Sequence, residues 1–292
     1  MRFAAFSISG ERRVGMVSAD GANFHPINMS TERAARGVAA LIGLSDAEIA
    51  DVSSPLPAHE VTLEAPFPRP GRNIFCVGKN YLDHAHEFSN SGFDSSAATS
   101  TVPKAPIIFS KVPETVIAHD EKIIIDPTVS AAIDYEAELA VIIGTGGRSI
   151  SKADAMNHVW GYTLVNDVTA RDLQGKYSQW LIGKSQDTFC PMGPFAVTRD
   201  ELDIGDTEIR CVVNGEIRQR ANTRDLIFDV PTIIETLSAG ITLLPGDIIA
   251  TGTPAGVGIG FDPPRYLRHG DVVRVEIDVI GSLENQCEER PS

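Results

Sequence analysis

Glu136 and Glu138 stand two residues apart in the stretch DYEAELAVIIG, whose remaining residues predict a strand covered on both faces. Alternation along a strand places both carboxylates on one face, about 6.6 Å apart along the backbone. Two ionised carboxylates that close repel each other by roughly 2–3 kcal/mol, and burial adds several kcal/mol per ion. A buried pair therefore needs a basic partner, a shared proton or a hard cation such as Mg²⁺ or Mn²⁺. Alternatively, the two glutamates lie at an exposed strand end and are simply solvated.

Further charged residues end or follow apolar runs. The apolar stretch WGYTLVND ends in Asp167, which could supply a third oxygen ligand or could cap the turn that follows. No lysine or arginine lies between Lys122 and Arg148, so the glutamates have no basic partner nearby in the sequence. Lys184 follows in WLIGK, where it is either a cation of the site or a surface lysine whose stem packs on apolar neighbours.

A possible general base precedes this region. His84 and Glu87 in NYLDHAHEF are three residues apart, so on a helical turn they share a face and can hydrogen-bond. A carboxylate that holds an imidazole raises its basicity, which allows it to activate water. The pair His84 and His86 would chelate a metal only on a strand, and the local sequence favours a turn or short helix, with His86 at the surface.

The glycine-rich stretch TGTPAGVGIG, residues 251–260, lacks the nucleotide-binding patterns but could hold a small carboxylate.

Composition limits the class of partner. The chain has 292 residues, 42% of them hydrophobic, and a net charge of −14, which argues against nucleic acid or an anionic membrane as a partner. Four widely spaced cysteines without a CxxC pattern favour reduced thiols over a disulfide framework or a zinc site. No signal peptide and no apolar run of membrane-spanning length is visible, so we expect a cytoplasmic protein.

Many short strands with few helices must position these residues, which predicts a mixed, β-rich barrel-like or multi-sheet fold. Strands are predicted at residues 73–77, 106–110, 122–125, 138–143, 161–165, 195–198, 208–213, 247–250 and 271–279, after a strand pair near the N-terminus. Helices are predicted at TERAARGVAALIG, from Ser151, and before Gly240 with Asp229 as N-cap. The proline-rich stretch at 64–73 predicts a junction between a small N-terminal domain, residues 1–70, and a catalytic domain, residues 71–292. Residues 89–101 are small and polar, which predicts a mobile loop that closes over a substrate.

Five ordered motifs carry a resemblance that covers residues 73–279. They are GKNYLDHAHE, DYEAELAVIIG, GYTLVNDVTARDLQ, GKSQDTFCPMGP and LLPGDIIATGTPAGVG, and together they resemble the fumarylacetoacetate hydrolase family. The resemblance implies a mixed β-roll of several sheets, a homodimer, Mg²⁺ or Mn²⁺ as cofactor, and a small 2-oxo or 1,3-dicarbonyl acid as substrate. It further implies metal ligands, substrate contacts and a water-activating pair at these positions: Glu136, Glu138 and Asp167; Arg171, Gln174, Lys184 and Thr253; and His84 with Glu87.

The chain departs from the family pattern just ahead of the histidine motif, and this departure indicates one branch of the family. Eukaryotic members carry a fourth acidic ligand just ahead of the histidine motif, where this chain has Cys76-Val77-Gly78-Lys79. The chain is therefore more similar to the bacterial acylpyruvase branch, which implies hydrolytic C–C cleavage of a 2,4-dioxo acid, for example fumarylpyruvate or a diketo-deoxy sugar acid. In that hypothesis His84 activates water and Lys184 adds positive charge. Oxaloacetate decarboxylation, isomerisation of a 2-hydroxy-diene-dioate and non-catalytic binding of a 2-oxo acid remain alternatives.

Overall fold

The computed structural model describes residues 1–92 and 101–290. The strands are β1 Arg2–Ile8, β2 Glu11–Val17, β3 Asn23–Pro26, β4 Leu56–Pro57, β5 Thr62–Glu64, β6 Ile74–Gly78, β7 Ile107–Lys111, β8 Val116–Ile117, β9 Ile123–Ile125, β10 Ile133–Asp134, β11 Ala137–Ile143, β12 Val159–Asn166, β13 Thr169–Ala170, β14 Cys190–Thr198, β15 Glu208–Val213, β16 Glu216–Asn222, β17 Ile248–Ala250, β18 Val272–Ile277 and β19 Gly281–Glu289. The helices are α1 Thr31–Ala34, α2 Asp46–Ala50, α3 Leu82–Asn90, α4 Arg171–Lys176, α5 Leu181–Lys184 and α6 Val230–Ser238.

The described strands form one large and one smaller sheet, plus a short pair, β10 with β13. Twelve strands of the described residues build the large sheet, whose main order is β4-β3-β2-β1-β14-β12-β11-β17-β6-β7. The smaller sheet has the order β16-β15-β18-β19-β9. Leu139 and Val141 of β11 pack in the apolar core that Ile209 and Val275 of the smaller sheet also join. That sheet therefore covers one face of β11.

The other face of β11 is covered from the N-terminal part of the chain. Ala140 and Ile142 share an apolar cluster with Phe3 and Val38. Strand β1 also pairs antiparallel with β14, with Phe3 opposite Ala196, so the N-terminal strands extend the large sheet. β11 is thus buried on both faces, as its apolar sequence predicts. The boundary at residue 70 stays a prediction.

The local predictions are confirmed in most places. Helix α6 begins after Asp229, whose side chain accepts a hydrogen bond from the Thr232 amide at 2.9 Å. The helix predicted from Ser151 is wrong, because only a 3₁₀ turn forms at Ala155–His158 before the chain enters β12. The helix predicted near Thr31 breaks at Gly37, whose φ of 63° is left-handed. Two strands rich in polar residues, β16 and β19, were not predicted.

None of the helices in the described part of the chain has the length and apolar character needed to span a bilayer.

Candidate active site

The predicted metal ligands meet beside the first residues of β11 and the last of β12. These strands pair so that Ala137 stands opposite Asn166, and the Asp167 amide donates to the Glu136 carbonyl at 2.8 Å. One oxygen from each of Glu136, Glu138 and Asp167 lies within 4.8 Å of the other two. All three side chains are buried. The alternative that the glutamates are solvated at an exposed strand end is therefore wrong.

Cations distant in sequence compensate two of the three carboxylates. Lys184 Nζ lies 2.8 Å from both Glu136 Oε2 and Asp167 Oδ2. Arg171 Nη1 lies 2.6 Å from Glu136 Oε1, and Lys111 Nζ lies 2.7 Å from Asp167 Oδ1. Asp167 therefore binds two lysines instead of capping a turn.

The burial of the two lysines was not evident from the sequence. Lys184 is 1% exposed, while its apolar neighbours Leu181 and Ile182 are 41% and 49% exposed. The surface interpretation of Lys184 is therefore wrong, because α5 turns its charged residue inward and its apolar residues outward. Lys111 was missed altogether. Its only sequence signal is its place at the end of strand β7, which begins with three apolar residues, Ile107, Ile108 and Phe109.

Neighbouring charges determine the protonation states of Glu136 and Lys184. Burial raises the pKa of Glu136, but the charges of Lys184 and Arg171 outweigh burial and lower it to about 2. Burial lowers the pKa of Lys184, yet Asp167 and Glu136 together raise it above its ordinary value. Glu136 and Lys184 are therefore held as an ion pair.

Glu138 differs from the other two carboxylates. Its Oε2 accepts a hydrogen bond from the Gly252 amide at 2.8 Å, and no salt bridge to it is found among the described residues. Burial, together with the charges of Asp167 and Glu136, raises the pKa of Glu138 well above its ordinary value. A buried carboxylate beside two others, with oxygen as the only ligand type, fits a hard divalent cation such as Mg²⁺ or Mn²⁺.

The charge balance supports the same cation. In and directly behind the site, the described residues place five carboxylates against four cations: Glu87, Asp134, Glu136, Glu138 and Asp167 against Lys79, Lys111, Arg171 and Lys184. When Glu138 gives up its proton to bind a divalent cation, the carboxylates exceed these cations by one negative charge, and the bound ion changes this to one positive charge, which suits an anionic acid as ligand.

Arg171, the predicted substrate contact, is fully buried and only partly satisfied. Its Nε lies 2.8 Å from Asp134 Oδ2, and its Nη1 donates to Gln174 Oε1 at 3.1 Å. Its Nη2 is a buried nitrogen that has no hydrogen-bond partner among the described residues. A buried, unsatisfied guanidinium nitrogen is costly unless a ligand accepts from it. The carboxylate of a bound acid would do so.

The predicted dyad is formed on helix α3. His84 Nδ1 lies 3.0 Å from Glu87 Oε2, and the Gly256 amide donates to Glu87 Oε1 at 3.0 Å. Glu87 therefore occupies Nδ1 and leaves Nε2 for proton exchange. His86 lies on the same helix and is exposed, as predicted.

The glycine-rich stretch 251–260 binds the protein's own carboxylates. Besides the Gly252 and Gly256 amides, the Gly258 amide donates to Asp134 Oδ1 at 2.6 Å. Thr253 Oγ1 donates to the Ala137 carbonyl at 3.0 Å and accepts from Gln219 Nε2 at 2.8 Å. The Thr253 hydroxyl thus has its hydrogen already engaged, and it can offer a ligand only an acceptor.

Many of these groups line one small cavity: His84, Glu136, Glu138, Arg171, Gln174, Lys184 and Thr253. Carboxylates and cations form its floor, and Phe88, Phe109 and Trp180 form an aromatic wall. Helix α3 extends to Asn90, into the stretch predicted as a mobile loop, and residues 93–100 of that stretch lie outside the described residues.

Lys111 gives a stability prediction. Lys111→Met should lower the free energy of unfolding by about 3–5 kcal/mol, because it leaves the buried Asp167 carboxylate with one cation fewer. Urea denaturation measures this change. Lys122→Met, at an exposed lysine, is the matched control and should shift the value by no more than about 0.5 kcal/mol. A change below about 1 kcal/mol for Lys111→Met would show that the ion pair is not needed for folding.

Gly260 gives a prediction for catalysis. A Cβ atom there would lie 1.8 Å from Glu87 Oε1, so Gly260→Ala must displace Glu87 and disturb its bond to His84. We expect kcat to fall by about 10–100-fold, as for other small misplacements of catalytic groups. Gly240→Ala is the control, since nothing lies within 4 Å of its added Cβ. Wild-type kcat in Gly260→Ala would mean that the position of Glu87 is unimportant.

A family model described as "Fumarylacetoacetate (FAA) hydrolase C-terminal" matches residues 73–288. The oxaloacetate tautomerase YisK of Bacillus subtilis is 50% identical over 228 residues, which cover 78% of this chain and 73% of that protein.

Solved structures of similar fold include proteins named for hydrolysis. The fumarylacetoacetate hydrolase of Exiguobacterium antarcticum is 40% identical, with 99% of this chain and 100% of that chain covered at a TM-score of 0.84. The maleylpyruvate hydrolase of Sphingobium sp. SYK-6, solved with manganese(II) and pyruvate, is 30% identical, with full coverage of both chains at a TM-score of 0.77. The predicted β-roll of several sheets is confirmed by these matches.

Proposed function

Because the chain belongs to the fumarylacetoacetate hydrolase family, we propose that it is a divalent-metal-dependent tautomerase of a small 2-oxo acid, with oxaloacetate as the first candidate. The similarity to YisK, which is named an oxaloacetate tautomerase, supports this choice of reaction. It differs from the C–C hydrolysis that the sequence motifs favour, and it uses the same residues.

One observation supports the proposal above all. A proton-transfer pair, His84 with Glu87, adjoins the same small cavity as the unpartnered Nη2 of Arg171 and the carboxylate cluster. Arg171 can hold the 1-carboxylate of an acid, and His84 can exchange a proton on the carbon next to its 2-oxo group. Tautomerisation needs only these two actions and stabilisation of the enolate.

Each residue of the site has its own role in the tautomerisation. In the keto-to-enol direction, His84 Nε2 takes a proton from C3, the C–H electron pair becomes the C2=C3 double bond, and the 2-oxo oxygen takes up a proton from His84 or water. Glu87 holds the imidazole in orientation and stabilises its charged form. Lys184, between Glu136 and Asp167, places positive charge near the developing enolate. A divalent cation on Glu136, Glu138 and Asp167 would act as a Lewis acid on the 2-oxo oxygen.

The test starts from the enol form of oxaloacetate, freshly dissolved, with Mg²⁺ or Mn²⁺ present. We expect the enzyme to speed the loss of enol absorbance in the ultraviolet, without matching release of CO₂ or of a second carboxylic acid. Stoichiometric CO₂ would identify a decarboxylase. No acceleration above the buffer rate with either metal ion would reject the proposal.

Hydrolysis of a 2,4-dioxo acid is a second candidate, because the His84–Glu87 pair is equally able to deprotonate a water. The similarity to a maleylpyruvate hydrolase solved with manganese and pyruvate supports it. A panel of acylpyruvates, scored by chromatography for pyruvate and a second acid, tests this reaction. The same panel, scored for a shifted double bond, tests isomerisation of a 2-hydroxy-diene-dioate.

A further inference from the structure

Asp134 is a buried acid of the site for which the proposed mechanism has no role. It is the first of the three acidic residues in the stretch DYEAEL, and its side chain is fully buried. Glu136 and Glu138, the other two, join Asp167 in the carboxylate cluster. Asp134 instead faces the guanidinium of Arg171, whose Nε lies 2.8 Å from Asp134 Oδ2. It therefore belongs to the substrate-binding side of the site and not to the proposed metal ligands.

The short strand pair β10–β13 brings Asp134 and Arg171 together. Asp134 stands opposite Thr169 in this pair, and the Arg171 amide donates to the Ala132 carbonyl at 2.9 Å. Each strand has only two residues, and a two-stranded pair is marginally stable even when it is longer. The order of this segment therefore depends on side-chain contacts such as the one between Asp134 and Arg171.

Three backbone amides hold the Asp134 carboxylate in place. The Gly258 and Tyr135 amides donate to Oδ1 at 2.6 and 2.9 Å, and the Ile259 amide donates to Oδ2 at 3.1 Å. Together with Arg171 these partners are all donors, so the residue at this position must accept hydrogen bonds at both side-chain atoms, as a carboxylate does. Because the amides belong to the main chain, Asp134 is a rigid anchor for the guanidinium.

Arg171 is held at two of its three side-chain nitrogens. Asp134 binds Nε, while Glu136 Oε1 at 2.6 Å and Gln174 Oε1 at 3.1 Å bind Nη1. A guanidinium is planar, so contacts at two nitrogens fix both its place and the orientation of its plane. The contacts at Nη1 alone would let the group pivot about that nitrogen. Asp134 thereby determines where Nη2, the nitrogen left for a bound acid, lies in the site.

We propose that Asp134 is a positioning residue, which fixes the guanidinium of Arg171 so that Nη2 meets the carboxylate of the bound acid. This inference rests on the proposed role of Arg171 in binding that carboxylate. It predicts the opposite sign from charge alone. Asp134 is an acid beside an anion-binding group, so by charge alone its loss would strengthen the binding of an anion. Positioning requires weaker binding, because a displaced guanidinium meets the acid poorly.

Calorimetry with oxalate, in the presence of saturating Mg²⁺, measures this effect without turnover. Asp134→Ala should weaken oxalate binding by about 10–100-fold and leave Mg²⁺ affinity within about threefold, as expected for a small misplacement of one binding group. Asp134→Asn keeps one oxygen for Arg171, so its oxalate affinity should lie between those of Asp134→Ala and the wild type. Since it also keeps the side-chain volume, it serves the test by itself if Asp134→Ala folds poorly.

Asp172→Ala is the matched control. Asp172 is the next residue after Arg171, but its Oδ1 accepts from the Ser130 hydroxyl at 2.6 Å. Its oxalate affinity should stay within about twofold of the wild type. A double-mutant cycle then shows whether Asp134 acts through Arg171. Arg171→Lys keeps the positive charge but removes Nη2, so it should weaken oxalate binding by itself. Adding Asp134→Ala to Arg171→Lys should weaken it further by no more than about twofold, because the guanidinium is gone.

The inference is overturned if the Asp134 variants bind oxalate as tightly as the wild type or more tightly, or if their Mg²⁺ affinity falls in parallel. It is also overturned if Arg171→Lys has no effect, or if the two losses multiply in the double variant. Normal tautomerisation by a protein whose oxalate affinity does not depend on Asp134 would reject this inference alone. The expected oxalate pattern, in a protein that does not accelerate the loss of the enol, would reject the proposed reaction and leave this inference standing.

Discussion

Glu138→Gln should abolish metal-dependent turnover while leaving the metal-free protein at least as stable as the wild type. The glutamine removes one anionic oxygen from a three-carboxylate site, so Mg²⁺ affinity should fall by about two orders of magnitude or more. Stability should hold because Glu138 pairs with no cation among the described residues and is repelled by Asp167 and Glu136. The glutamine oxygen can still accept from the Gly252 amide.

Calorimetry with Mg²⁺ and thermal unfolding without it measure the two effects. Asp167→Asn is the contrasting variant, since it deprives both Lys111 and Lys184 of a buried counter-ion. It should lose metal binding and also unfold at a clearly lower temperature. Unchanged Mg²⁺ affinity in Glu138→Gln would remove Glu138 from the ligand set. A large drop in its metal-free stability would show that the carboxylate has a structural partner.

His84→Ala should lower turnover by about 10²–10⁴-fold, the usual effect of losing a general base. Metal binding should be retained, because the three carboxylates lie on β11 or directly beside β11 and β12, whereas the histidine lies on helix α3. Calorimetry with Mg²⁺ and with oxalate, an unreactive acid, checks this alongside the enol assay.

His86→Ala is the matched control for this variant. It lies on the same helix and is exposed, so its turnover should stay within about twofold of the wild type. Loss of Mg²⁺ affinity in His84→Ala would identify the histidine as a metal ligand. Full turnover with full metal binding would eliminate the dyad. If only oxaloacetate decarboxylation survived, the base would be unnecessary and the enzyme would be a decarboxylase.

The carboxylate cluster could be predicted because its signal is local. Alternation within one strand places Glu136 and Glu138 together, and Asp167 follows the apolar strand that pairs with it. Helix α6 was predictable for the same reason, since its cap at Asp229 and its apolar face lie within a dozen residues. The family resemblance supplied the roles and the sheet arrangement that these local patterns do not contain.

Local sequence patterns could not predict that the cations Lys111 and Lys184 are buried in the site. Lys111 and Asp167 are 56 residues apart in sequence, and they meet only in the folded chain, where α5 packs against both β7 and β13. Around Lys184 the hydrophobic pattern predicts the opposite of what is observed: it would bury Leu181 and Ile182 and expose the lysine. Lys184 is buried instead because the buried carboxylates need a counter-ion. The unpartnered Nη2 of Arg171 is equally a property of three-dimensional contacts. The homodimer and the boundary at residue 70 stay predictions.

The backbone amides of the glycine-rich stretch offer NMR signals that report on the site in solution. Its Gly252, Gly256 and Gly258 amides donate to three carboxylates with different tasks: a proposed metal ligand, the partner of the base, and the anchor of Arg171. An amide proton that is donated to a carboxylate shifts downfield and is protected from exchange with solvent. Three resonances from one short segment can therefore report separately on cation binding, on the histidine and on the arginine, without a label on any catalytic side chain.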